Sequence, residues 1–148
     1  MRIKMLLTSL LGLLLWISGP AQAENSQDFG NYVVHFNALN TNHLPPSVTR
    51  EYGLKRSKNR GMLNIAVLRK AMGTPGEPVE AEVHATAANL TGQKRAIELR
   101  EVREGTAIYY IGDFPIANEE TLRFSIKVKP KGVEESFDVK FSHQFFTQ

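Results

Sequence analysis

Apolar and polar residues alternate along most of this chain with a period of two, and clusters of glycine, proline, asparagine and aspartate interrupt the alternation. Tyr32, Val34, Phe36 and Ala38 share one face of a first predicted strand over residues 31–39, with Val33, His35, Asn37 and Leu39 on the other. Asn40 to His43 is turn-rich and ends it. Pro45 and Pro46, harmless where a helix begins, and Gly53, which supplies a left-handed stop, bracket one short helix over residues 46–52. A second strand covers residues 62–70, and the proline and glycine of residues 73–78 forbid regular pairing beyond it. Val79, Ala81, Val83, Ala85 and Ala87 then alternate with Glu80, Glu82, His84 and Thr86, a strand with one wet face.

After a turn at Leu90-Thr91-Gly92, residues 94–102 read as a single strand; residues 106–111, apolar on both faces, read as a central one. Residues 113–120 read as a loop broken by Pro115. Leu122, Phe124, Ile126 and Val128 alternate with Arg123, Ser125, Lys127 and Lys129. Beyond a hairpin-type turn at Pro130-Lys131-Gly132, Phe137, Val139, Phe141, His143 and Phe145 share one face of the last strand. About seven strands without a sustained helical period predict an all-β fold, an antiparallel immunoglobulin-like β-sandwich with one short helix. An up-and-down barrel shows the same alternation and is the alternative. An outer-membrane barrel fits less well, since it needs an even number of at least eight strands of about ten residues with outward apolar bands.

The first residues follow another logic. Arg2 and Lys4 precede an apolar run from Met5 to Ser18, and Ala21-Gln22-Ala23 fits a small-x-small cleavage site. Residues 1–23 are therefore expected to be a cleavable signal peptide, cut after Ala23, because the run falls short of the roughly 20 residues that span a bilayer. No stable membrane insertion is expected once it is removed, and Glu24 in place of a cysteine argues against a lipid anchor. Residues 24–148 suit a single domain with one core. With Arg2 and Lys4 gone, sixteen basic residues face fifteen acidic ones, a net charge of +1. Nucleic-acid binding by bulk charge then loses its basis. The absence of cysteine excludes thiolate metal sites, cysteine nucleophiles and disulfides, and suits an exported protein of the periplasm.

Catalytic patterns are missing too. His35, His84 and His143 fall on strands and His43 in a turn, none paired at a metal-binding spacing, so no metal or cofactor is expected. There is no Gly-x-Ser-x-Gly elbow and no serine with lysine three residues on, and residues 53–61 lack the ending of a phosphate-cradling loop. Glu80 with Glu82, Glu119 with Glu120 and Glu134 with Glu135 read as solvated surface. Asn89-Leu90-Thr91 matches a glycosylation acceptor, a coincidence in a chain exported in the bacterial manner. What stands out is Lys55, Arg56, Lys58 and Arg60, four cations in six residues running straight into the strand at Met62. Arg56 and Arg60 could grip an anion in bidentate fashion, with His35 and Asn37 on the neighbouring strand as auxiliary contacts. A solvated charge run that keeps its strand from stray pairing is the competing account.

Tyr32-Val33-Val34-His35-Phe36-Asn37-Ala38, Tyr52-Gly53-Leu54, Arg56-Ser57-Lys58-Asn59-Arg60-Gly61 and Leu63-Asn64-Ile65-Ala66-Val67 together resemble a small exported family of Gram-negative bacteria known as a domain of unknown function. The resemblance spans essentially all of residues 24–148 and makes the basic stretch a family hallmark. It implies no reaction, substrate or cofactor. The expected function is thus a non-catalytic periplasmic binding or accessory module that engages a protein or anionic envelope component through the basic turn. Two alternatives are a small hydrolase or isomerase using His35 or His143 as base, and a subunit that completes another protein's sheet with its aromatic last strand.

Overall fold

Two antiparallel sheets stack face to face in the computed structural model, which describes residues 25–148; the expected signal peptide lies outside them. The first sheet holds β1 (Ser26–Asp28), β2 (Tyr32–Asn40), β3 (Arg60–Arg69), β4 (Glu77–Pro78), β7 (Arg100–Glu104) and β8 (Ala107–Pro115). Its order is β1-β2-β3-β8-β7, with β4 pairing to β3. The second sheet holds β5 (Ala81–Ala88), β6 (Lys94–Ile97), β9 (Glu120–Pro130) and β10 (Phe137–Phe145), in the order β10-β9-β5-β6. The sandwich is as the alternation predicts, and neither sheet closes into a barrel. Hairpins within each sheet and crossings between the two at β4–β5, β6–β7 and β8–β9 give the connections of a Greek-key sandwich.

The inward faces are the apolar halves of the alternation. Val34, Leu63, Ile65 and Val67 of the first sheet meet Leu122, Phe124, Ile126, Val128 and Val139 of the second. Phe114, Phe124, Phe141 and Phe145 form an aromatic cluster at one end; Phe29 stacks on Phe137 at the other, centroids 4.6 Å apart. With no disulfide, burial of such side chains, roughly 1.5–3 kcal/mol each, is the main stabilising term.

Three boundaries differ from the sequence reading. The strand expected over residues 94–102 breaks at Glu98 and Leu99, so that β6 belongs to one sheet and β7 to the other. Gly112 of β8 makes room for the crossing: a Cβ there would lie 2.2 Å from the carbonyl oxygen of Glu98. The loop expected over residues 113–120 is shorter, because β8 stays paired with β3 out to Arg60 opposite Pro115, and the Ile116 N–H then bonds the Asn59 carbonyl. A proline is tolerated at the end of a strand, where no ladder donor is needed. Two short strands, β1 and β4, fall where the pattern is too brief to read. The helix forms as α1 (Pro46–Glu51), and Gly53 takes the left-handed conformation, φ 64°, just beyond its cap.

Candidate functional site

The basic turn is tied down by buried polar residues at the end of β2. Asn40 is 5% exposed and donates through its amide to the carbonyls of Lys58 and Phe146. Thr41, fully buried, accepts from the Ser57 N–H at 2.9 Å, and its hydroxyl lies 2.8 Å from the Lys55 carbonyl and 3.0 Å from that of Ser57. Arg56 spends its guanidinium on the carbonyls of Leu44 and Asn42, at 3.0 and 2.9 Å. Arg60 pairs with Asp113 of β8 at 3.0 Å. Both arginines are thus engaged within the molecule, and of the four cations only Lys55 and Lys58 have side chains with no bonded partner among the described residues.

This turn and α1 roof part of the outer face of the first sheet. Leu54, Met62 and Ile111 make a small second core there, edged by Leu44, Tyr52, Val102 and Tyr109. The Tyr52 hydroxyl donates to Glu104 at 2.5 Å, and that bond, with burial behind it, pushes the phenol up to about 12. Arg100 donates to the Tyr52 carbonyl. His35 and Asn37 occupy the same outer face, cross-strand from Ala66 and Asn64. The apolar Leu39–Met62 pair lies between them and the turn. His35 lines an apolar groove with Leu68, Pro78 and Tyr109 instead. His35 and Asn37 are therefore not brought into one site with the basic turn.

Both candidate bases have apolar neighbours. His143 packs edge-on against Phe145, centroids 4.6 Å apart, and burial lowers its pKa from the ordinary histidine value. Among the described residues no carboxylate bonds His35 or His143, and no three metal-ligating side chains converge. Asn89 is occupied as well: its side-chain oxygen accepts from the Thr91 N–H, the Thr91 hydroxyl and the Gln93 N–H, which folds the β5–β6 turn.

Register creates a second cationic site that linear reading misses. On the outer face of the second sheet, Lys94, Ala88, Arg123 and Ser142 form one row across all four strands. The next row is Ala96, Thr86, Ser125 and Lys140. Farther along, Lys127 faces Asp138 and Lys129 faces Glu82, so charge there is balanced. The first two rows hold three cations and no acid. With strands about 4.8 Å apart and about 3.4 Å per residue, Arg123 rises within about 10 Å of both Lys94 and Lys140, which flank it about 16 Å from each other. Lys94, Arg123 and Lys140 are exposed and form no ion pair among the described residues. They border an open trough of about 390 Å³ with Ser125 and Ser142 on its floor. In sequence the three cations sit on separate strands, and the alternation at Arg123 and Lys140 marks a polar face on each without showing that the two are neighbours.

Comparison with known proteins places this geometry in a family. The family described as "Domain of unknown function (DUF4426)" matches residues 26–148. The crystal structure of a DUF4426 family protein from Pseudomonas aeruginosa PAO1 is similar at 41% identity and a TM-score of 0.70, over 82% of this chain and 93% of that one. FetP of uropathogenic E. coli strain F11, isolated after recombinant expression in the periplasm, shares the fold at 12% identity and a TM-score of 0.58, over 82% of this chain and 92% of its own. A copper-bound variant of FetP superposes equally well, at 13% identity. Among curated proteins none matches the chain.

Proposed function

The chain belongs to the DUF4426 family, and within it we propose a non-catalytic, exported binding or accessory module of the periplasm that engages an anionic partner. The single observation behind this reading is the convergence of Lys94, Arg123 and Lys140, without an acid or an ion-pair partner, on an open face of the second sheet. The expectation of an anionic partner is kept, but its site moves. Arg56 and Arg60 of the basic turn already have partners, so that turn acts mainly as a clamp between β2 and β3. Export rests on the signal-like residues 1–23, and among the described residues no helix is long and apolar enough to cross a membrane. The copper of the FetP variant is not carried over, because the fold alone is shared and no ligand cluster forms among the described residues.

Retention on immobilised heparin, a soluble-polymer polyanion, tests the reading. The wild type should be retained and released by salt, and K94S/R123S/K140S should elute at clearly lower salt with an unchanged thermal midpoint. K55S/K58S should elute with the wild type. The opposite ranking would return the site to the basic turn, and no retention of the wild type would remove the anionic partner altogether.

One observation favours a second reading. The nine-residue β10 pairs only with β9 and leaves its other edge open among the described residues, as a subunit that pairs strands with a partner would. Proline in place of Ser142 would abolish such pairing. A partner complex that survives it excludes this route.

A further inference from the structure

Leu90 stands beside the two acid-free rows of the second sheet, at the tip of the β5–β6 hairpin, and is 69% exposed. Its turn is held rigid by Asn89, whose carbonyl also receives a bond from Arg123 at 3.4 Å. The hairpin therefore fixes a large apolar side chain next to Arg123, with Lys94 following on β6 and Lys140 two strands away. The other strongly exposed hydrophobics lack this setting. Met72 lies beyond Arg69 and Lys70, which are already paired with Glu77 and Asp28. Phe146 follows β10, and its carbonyl is held by Asn40.

We propose that the anionic partner is a phospholipid surface, with Leu90 entering the interface while Lys94, Arg123 and Lys140 contact lipid phosphates; this rests on reading that face as the anion site. A planar array of headgroups suits the site better than a single small anion, because the cations rise from a sheet face and border an open trough instead of converging in a closed pocket. Long basic side chains reach an interface while their stems cover apolar surface, and Ser125 and Ser142 add hydroxyl donors between them. One side of the sandwich is suited to such contact: the outer face of the first sheet is partly covered by α1 and the basic turn. Attraction is strongest at low ionic strength and falls once screening shortens the reach of surface charge.

Co-sedimentation with vesicles of phosphatidylcholine alone, or of phosphatidylcholine mixed with phosphatidylglycerol, tests the proposal. The wild type should sediment with the mixed vesicles, remain in solution with the neutral ones, and be released by salt. K94S/R123S/K140S should lower the partition coefficient roughly 100-fold. Leu90→Ser should lower it by about tenfold, without changing elution from heparin. K55S/K58S should bind as the wild type does. Equal binding to both vesicle types, or binding that survives the triple substitution, would overturn the proposal. Retention on heparin without binding to the mixed vesicles would also overturn it, while leaving the anion-binding module in place. The salt and lipid dependence of the wild type decides the matter even if a variant loses its fold.

Discussion

Thr41→Val tests whether the basic turn is a clamp. The substitution keeps the shape of a fully buried side chain and removes one hydroxyl. That hydroxyl accepts the Ser57 N–H and donates its single proton to a neighbouring carbonyl, that of Lys55 being the nearer at 2.8 Å. Stranding a buried donor or acceptor costs about 1–3 kcal/mol each. The loop around residues 55–58 is partly solvated, so the lower half of that range applies to both groups, and the added methyl offsets a fraction. The net loss is about 2 kcal/mol, a large share of the roughly 5–15 kcal/mol that holds a domain of this size. At an unfolding entropy of about 2.1 cal/mol/K per residue, that lowers the thermal midpoint by about 8 °C. Calorimetry and urea unfolding measure it, with Lys58→Ser, whose side chain has no bonded partner, as a control expected within about 0.5 kcal/mol of wild type. A Thr41→Val midpoint within about 1 °C of wild type would refute the clamp and free the turn to be a site.

Two further outcomes follow from the core. Gly112→Ala places a methyl 2.2 Å from the Glu98 carbonyl oxygen, an impossible contact that must push β8 from the crossover; urea unfolding should show a loss of about 3 kcal/mol or more. His143 gives a pH dependence of known sign. Burial lowers its folded pKa below the ordinary 6.5, so the unfolded chain takes up the proton first. Its contribution is complete above about pH 6.5 and declines as pH falls from there toward the depressed folded value. Midpoints measured across that window should fall with pH in the wild type and less steeply in His143→Gln; equal slopes would show that another group is responsible.

The strands were legible because burial on one face imprints a period of two, as in Leu122, Phe124, Ile126 and Val128. The break at Glu98 was not, since residues 94–102 keep a strand-like composition and the crossing depends on a glycine in another strand. The basic turn was conspicuous as a cluster, yet its arginines find partners at Asp113, Asn42 and Leu44, which only the folded chain brings close. The opposite held for the second sheet. Lys94, Arg123 and Lys140 look like ordinary solvated positions one strand at a time, and their convergence is a product of register.

The Asn40 amide bond to the Phe146 carbonyl joins residues 106 positions apart, and β1 neighbours Phe29, whose ring stacks on Phe137. The earliest and latest segments of the domain therefore complete each other's surroundings. A chain emerging from its amino end has β2 and β3 long before β10 arrives to cover them, so cooperative closure waits for the last residues.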